Sequence, residues 1–356
     1  MALKQSYAIW NNKGGVGKST ITFHIASRFA EQNPEVNVLV IDICPQANAS
    51  MMILGGGSSG ENKVLEYCTL GTPQTVVGYM SQVITNGSGA PLPDPMSFIV
   101  QASTINQWMP SNVYLMCGDG NLEPMAPAIN QAASAPALTP QATPWAWIHL
   151  IMRRLIENLV SIRSDKDWMV LVDTNPSFSI YTELAVCTVD RLVTPVNADD
   201  SSRVATNAMF ILLHGQSPPH PVYGSWTFAA RAQTNSLAIP KIHLIVGNRL
   251  TQYSGPAAAY GALSDATANT LFTEYATHPD YFTPRPTPPT NIEEFRALYS
   301  TPLRDFNTAG VVSAHLGRPL SQMSDGTYQV HGADVTVDAR RVSECLQAVD
   351  DVVRQL

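Results

Sequence analysis

One stretch near the amino terminus, SYAIWNNKGGVGKSTITFHIASRFA (6–30), restricts the folds open to this chain more than any other. SYAIW (6–10) reads as a short apolar strand. A glycine loop follows at once, and Ile21, Ile25 and Phe29 then recur at roughly helical spacing, so a helix starts at about Lys18. Gly14, Gly15 and Gly17 let the backbone turn tightly enough for its N–H groups to surround phosphate oxygens, and the helix adds its positive end to the same place. VNVLVIDI (36–43) is a continuous β-branched run, the pattern of a strand buried on both faces of a parallel sheet. The opening residues therefore form a strand–loop–helix–strand unit.

The later pattern extends that unit. WMVLVDT (168–174), RLVTPVN (191–197) and KIHLIVGN (241–248) are further apolar strands, with helical segments near 180–188, 201–213 and 225–237. Alternating strands and helices imply an α/β fold, a mostly parallel twisted sheet flanked by helices, with the ligand at the carboxyl ends of the strands. Thr143 and Pro144 suit the start of another helix, with Ile148, Ile151, Leu155, Leu159 and Ile162 on one apolar face.

Between about 55 and 143 the pattern weakens. GGGSSG is expected to be flexible, GAPLPDP and ASAPALTPQATP read as connectors, and NVYLMCG (112–118) is a strand between them. The expectation is a single domain over 1–356 with an irregular elaboration at about 55–143. TPRPTPPT (283–290) is a stiff connector. The tail places Val342, Leu346, Val349, Val353 and Leu356 on one face, to be docked on the core. A membrane-surface helix would oppose such a stripe with basic residues, whereas Glu344, Asp350 and Asp351 offset Arg340, Arg341 and Arg354.

With 356 residues and 45% hydrophobic composition the chain can bury a large core. Its net charge of -7 and its six lysines argue against a general affinity for nucleic acid. The five cysteines form no C-x-x-C pair, no signal peptide precedes the glycine loop, and no apolar run is long enough to span a membrane. These features point to a cytoplasmic protein.

Two of the six lysines sit in the loop itself. Lys18 should reach the β- and γ-phosphates of a nucleotide, and the Ser19 hydroxyl should ligate magnesium. The pattern G-x-x-x-x-G-K-[ST] would place its first glycine at position 12, where this chain has Asn12. The loop is a variant, with the additional Lys13 at its front. Asp173 ends an apolar strand and would hold the magnesium through water, opposite Ser19; a turn or capping role is the alternative. Asp42 also ends a buried strand and is expected to face the metal or its waters.

KGGVGKST resembles the deviant Walker A loop of the ParA/MinD family of P-loop ATPases. Other segments match that family in order. VLVIDICPQANAS (38–50) is similar to its second strand and D-x-D-P-Q-x-N switch. MVLVDTNPSFS (169–179) resembles its Walker B strand and turn, and RLVTPVNADDSS (191–202) its next strand and turn. LIVGNRL (244–250) looks like the strand whose asparagine reads adenine, and TAGVVSAHLGRPL (308–320) like a late helix and Gly-x-Pro turn. The resemblance covers 1–50 and 165–250 well and the end loosely.

It implies an ATPase of the P-loop NTPase type with ATP and Mg2+ as cofactors. The nucleotide would be bound by Lys13, Gly14, Gly15, Val16, Gly17, Lys18, Ser19, Thr20 and Asn248, although Asn248 could also be a turn residue. Lys13, Lys18 and Asp42 would be the catalytic residues, and Ser19 and Asp173 the metal residues. In the family the leading lysine reaches the partner's nucleotide across an ATP-dependent homodimer, which assigns that role to Lys13. Cys44 departs from the pattern, because the family usually has a second aspartate there. A thiol is a poor base for water, so either hydrolysis is slow, the favoured reading, or the mechanism is altered.

What such a switch would control stays open between three roles. One is partition of DNA, a plasmid or another cargo through a cargo adaptor, with nonspecific DNA binding by arginines among Arg285, Arg296, Arg304, Arg318, Arg340 and Arg341. Another is a regulatory subunit that recruits a protein effector without DNA. The third is a small-molecule ligase on a related P-loop. None of the three requires a membrane.

Overall fold

The computed structural model describes residues 2–137, 143–248, 257–303 and 305–356, with the backbone alone over 257–264. Its elements run β1 (Leu3–Ile9), α1 (Lys18–Gln32), β2 (Val36–Ile43), α2 (Asn48–Ile53), α3 (Gly57–Cys68), α4 (Val76–Asn86), β3 (Val100–Gln101), β4 (Val113–Met116) and α5 (Leu122–Ala133). There follow α6 (Pro144–His149), α7 (Ile151–Ile162), β5 (Asp167–Thr174), α8 (Ile180–Thr188), β6 (Arg191–Asn197), α9 (Asp200–His214), α10 (Phe228–Thr234) and β7 (Lys241–Asn248). The last third holds α11 (Ala257–Thr277), α12 (Ile292–Tyr299), β8 (Ser300–Pro302), α13 (Asn307–Leu316), a hairpin of β9 (Gly326–Val330) and β10 (Ala333–Val337), and α14 (Ala339–Val353).

Eight strands form one sheet in the order β3-β4-β2-β5-β1-β6-β7-β8. Every neighbouring pair is parallel except β3 on β4. β2 and the central residues of β5 are fully buried, as continuous apolar runs require of strands covered on both faces. One apolar core lies between the sheet and α4–α12; the other lies between its opposite face and α1, α2, α13 and α14. β1 sits between β5 and β6, so the loop that leaves it opens where three carboxyl strand ends meet.

The segment read as irregular is largely built: α3, α4, β3, β4 and α5 all fall within it, and β4 extends the sheet beside β2. GGGSSG is not a flexible stretch either. Gly57 begins α3, and a Cβ on Gly56 (φ +69) would lie 2.2 Å from the Gly317 backbone nitrogen and 2.5 Å from the Ala314 carbonyl oxygen. The glycines are there because the α2–α3 corner presses backbone to backbone on the end of α13. The buried Asn106 amide closes the same joint, donating to the carbonyls of Ile53 (3.0 Å) and Gly317 (2.7 Å).

The helix expected from Pro144 is broken at Leu150 into α6 and α7; Thr143 makes no side-chain cap, and Ile162 is 49% exposed at the end of its stripe. The tail does dock on the core. Val342, Val349 and Val353 are buried, and the Arg28 guanidinium of α1 pairs with Asp350 at 2.5 Å. The β9–β10 hairpin, with its two-residue His331-Gly332 turn at positive φ, is not anticipated from the sequence.

Candidate active site

The glycine loop folds as its composition demands. Gly15 and Gly17 have φ of 71° and 83°, a region open to glycine at no steric cost. Gly17 is the N-cap of α1 and offers no side chain to it, so the first amides of the helix are left for a ligand. Gly17 is also required by a close approach, since a Cβ there would fall 2.6 Å from Asn248 Nδ2. A cavity of about 720 Å³ opens over the loop. It is lined by Gly14, Gly15, Gly17, Lys18, Ser19 and Thr20, by Cys44 and Gln46 after β2, and by Thr174 to Pro176 after β5. That volume accommodates a nucleotide.

The two acidic strand ends are register neighbours, Asp42 of β2 against Asp173 of β5, and both are fully buried. The Ser19 hydroxyl donates to Asp173 at 2.6 Å and the Thr22 hydroxyl at 3.2 Å. Burial raises both carboxyls above the ordinary range, and the charge of Asp42 raises Asp173 further. A buried carboxylate touching the loop serine is an oxygen pair that fits a hard divalent cation bound beside a triphosphate.

Asp42 is also held from its own turn. Its carboxylate accepts from Ser50 N (2.9 Å), Ser50 Oγ (2.7 Å) and Cys44 N (3.1 Å), so it pins the turn between β2 and α2.

The two lysines separate. Lys18 is buried at the loop, with Nζ donating to the Lys13 carbonyl at 2.9 Å. Burial lowers its pKa to about 8, against the opposing pull of Asp173. Lys13 does not line the cavity. Its Nζ lies 2.5 Å from both carboxylate oxygens of Asp199 and 3.2 Å from Ser202 Oγ, at the N-terminus of α9. Asn248 reaches the loop, where Nδ2 donates to the Val16 carbonyl at 2.8 Å. Cys44 is 4% exposed, and burial, followed by the charges of Asp42 and Asp173, pushes its thiol up to about 12. It stays a neutral thiol.

Asp199, Ser50 and Thr22 are the site residues that sequence reading passed over. For Asp199 a signal existed: an aspartate after a strand end, followed by Asp-Ser-Ser, has the form of a helix N-cap beside the loop. His24, read as packed, is buried between Phe23 and Phe306, and burial drops its pKa to about 3.

Five of the arginines proposed for DNA make contacts within the chain. Arg285 donates to the His243 carbonyl and lies over Tyr299, Arg296 pairs with Asp265, Arg318 lies over Trp108, and Arg340 and Arg341 pair with Glu344. Arg304, and Arg249 of the LIVGNRL match, lie outside the described residues. Among the described residues no helix is long and apolar enough to cross a membrane.

A family model described as an AAA domain matches residues 4–210. Among solved structures, the fold is similar to apo McdA from Cyanothece, with a TM-score of 0.59 and 12% identity over 99% of each chain. It is similar to the ATP complex of a single-residue variant of Cyanothece McdA, with a TM-score of 0.58 and 12% identity over 99% of this chain and 98% of that one. It is also similar to a putative plasmid partition protein from Borrelia burgdorferi bound to AMPPNP, with a TM-score of 0.52 and 13% identity over 98% of this chain and 97% of that one. No curated protein matches the sequence.

Proposed function

We propose that this chain, which belongs to the ParA/MinD family of P-loop ATPases, is a Mg-ATP-dependent homodimerising switch that serves partition of a plasmid or another cargo. The observation that carries the reading is the division of labour between the loop lysines: Lys18 lies at the phosphate cavity, while Lys13 points out of it. The Cyanothece and Borrelia structures, solved with ATP and AMPPNP, support ATP as the ligand.

The loop amides from Gly14 to Thr20 and the Lys18 ammonium surround the phosphates, and Asn248 stands at the base side of the loop. Ser19 and Asp173 are the residues that would hold magnesium, Asp173 through water. Bound there, the metal would neutralise charge on the β- and γ-phosphate oxygens. Lys13 reaches the partner subunit's nucleotide and stabilises the transferring phosphoryl charge, as an arginine finger does. Asp42 acts through the turn it pins, which carries Cys44 and Gln46 to the cavity wall. With a neutral thiol at Cys44 the attacking water lacks its usual carboxylate, and hydrolysis is slow.

A protein effector is the second reading, and two observations bear on it. Of the arginines considered for DNA, those the structure describes are each engaged within the chain. On the outer face, exposed Ile211, Tyr223 and Trp226 (72% exposed) line one groove of about 420 Å³, the kind of surface that marks a protein contact.

The test is mass by light scattering with Mg-ATP, Mg-ADP and no nucleotide. The wild type doubles its mass with Mg-ATP alone. Lys13→Ala stays monomeric yet binds nucleotide nearly as well. A Lys13→Ala protein that still dimerises with ATP removes the trans role from Lys13.

A further inference from the structure

We propose that Asp199 is a positioning residue for the reaction: it parks the Lys13 ammonium within its own subunit and so sets how readily two subunits pair. The inference rests on the trans role of Lys13 proposed above. Lys13 Nζ contacts both Asp199 oxygens at 2.5 Å and Ser202 Oγ at 3.2 Å, a two-pronged grip that leaves the lysine side chain 18% exposed. Asp199 is itself held. It caps α9 by accepting from Ser202 N at 2.7 Å, and it accepts from Ser201 Oγ at 2.9 Å.

The ammonium is therefore anchored to a helix end, not resting on a free surface carboxylate. Partial burial alone would raise the Asp199 carboxyl, but Lys13 and the Ser202 and Ser201 donors hold it down at about 2. The acceptor is ionised throughout the physiological range. A lysine so placed cannot reach a partner's phosphate until the pair opens, and a dimer must open two such pairs. The γ-phosphate of the partner then replaces Asp199 as the anion. Asp199 thereby opposes association of subunits without nucleotide, because no other anion is present to take the lysine.

Asp199→Asn separates the charge from the fold, since asparagine caps a helix about as well as aspartate. Asp199→Ser does the same with a shorter side chain and serves as the second variant. A pair of this kind is worth up to several-fold in an equilibrium constant. With two pairs broken per dimer, the Mg-ATP dimer of either variant should form at roughly ten-fold lower protein concentration than the wild type.

The second readout is chemical. In the nucleotide-free monomer, acetylation of Lys13 by an amine-reactive acetylating reagent, followed by mass spectrometry, should quicken several-fold in both variants while Lys18 is unchanged. A purely structural cap would move neither quantity.

If the wild type dimerises with Mg-ATP but the variants do so equally or more weakly, the parking role is wrong. Unchanged labelling of Lys13 also overturns it. If the wild type itself stays monomeric with Mg-ATP, the switch reading fails instead.

Discussion

Replacing Cys44 by aspartate places a carboxylate just after β2 at the cavity wall, and the structure sets what that carboxylate will meet. The native thiol is moved from an ordinary 9.0 to about 12 by burial and by Asp42 and Asp173. At about 1.4 kcal/mol per pH unit, the position opposes a negative charge by roughly 4 kcal/mol. An aspartate there feels the same opposition, and its pKa rises from the usual carboxylate range toward neutrality. A raised folded-state pKa means that the folded variant binds more protons than the unfolded chain. Its stability therefore falls as pH rises, beginning at the unfolded value near about 4 and ending near neutrality, with a total loss of about 4 kcal/mol.

Magnesium bound beside Ser19 and Asp173 would bring positive charge to the cavity and favour the ionised form, while the negative charge of the triphosphate would act against it. Recovering a water-orienting carboxylate is worth about 10²-fold in turnover. The expected result is an ATP turnover raised roughly 10- to 100-fold at saturating Mg-ATP, with a rate that climbs through neutral pH. Urea denaturation without nucleotide should find the variant about 1.4 kcal/mol less stable than the wild type at about pH 5 and about 4 kcal/mol less stable at about pH 8. A well-folded variant with unchanged or lower turnover refutes the idea that Cys44 is what slows the chemistry. Equal urea midpoints relative to wild type at both pH values refute the electrostatic reasoning.

Two other perturbations test the frame around the site. His24 is buried and neutral, and the unfolded chain takes up a proton below about 6.5 that the folded state refuses down to about 3, so stability is lost on acidification. Between about pH 7 and pH 5 the wild type should lose about 2 kcal/mol more than His24→Leu in urea melts; parallel losses would show that the imidazole is not the cause. Gly56→Ala drives a methyl group into the Gly317 and Ala314 backbone from a left-handed conformation, and should destabilise by about 3 kcal/mol. A change under about 1 kcal/mol in its urea midpoint would mean that the α2–α3 corner yields easily.

What was legible in the sequence was local. The bounds of β2, β6, β7, α8 and the start of α1 follow from apolar periodicity over windows of roughly seven to fifteen residues. Gly15 and Gly17 follow from a turn that only glycine can make without strain. Where the local pattern was weak, between 55 and 143, the reading missed α3, α4 and α5. It took GGGSSG for a flexible stretch because nothing nearby announces Gly317, with which Gly56 is in contact. The β9–β10 hairpin was missed although its His-Gly turn and alternating flanks are local signals.

The sequence by itself determined that this protein has a phosphate loop between a strand and a helix, that a parallel sheet carries it, and that Asp42 and Asp173 end strands. Those properties depend on a few neighbouring residues and their sterics. Only the tertiary structure decided which strand ends meet. Sheet order makes Asp42 and Asp173 neighbours, α1 after the loop brings Ser19 to Asp173, and α2 after β2 brings Ser50 to Asp42. It also joined Lys13 to Asp199, 186 residues away, by placing β6 beside β1. Pairing between distant segments follows from strand order and packing, which no short window of residues encodes. Lys13 stood out in the sequence, and only the fold shows that Asp199 and Ser202 hold its ammonium.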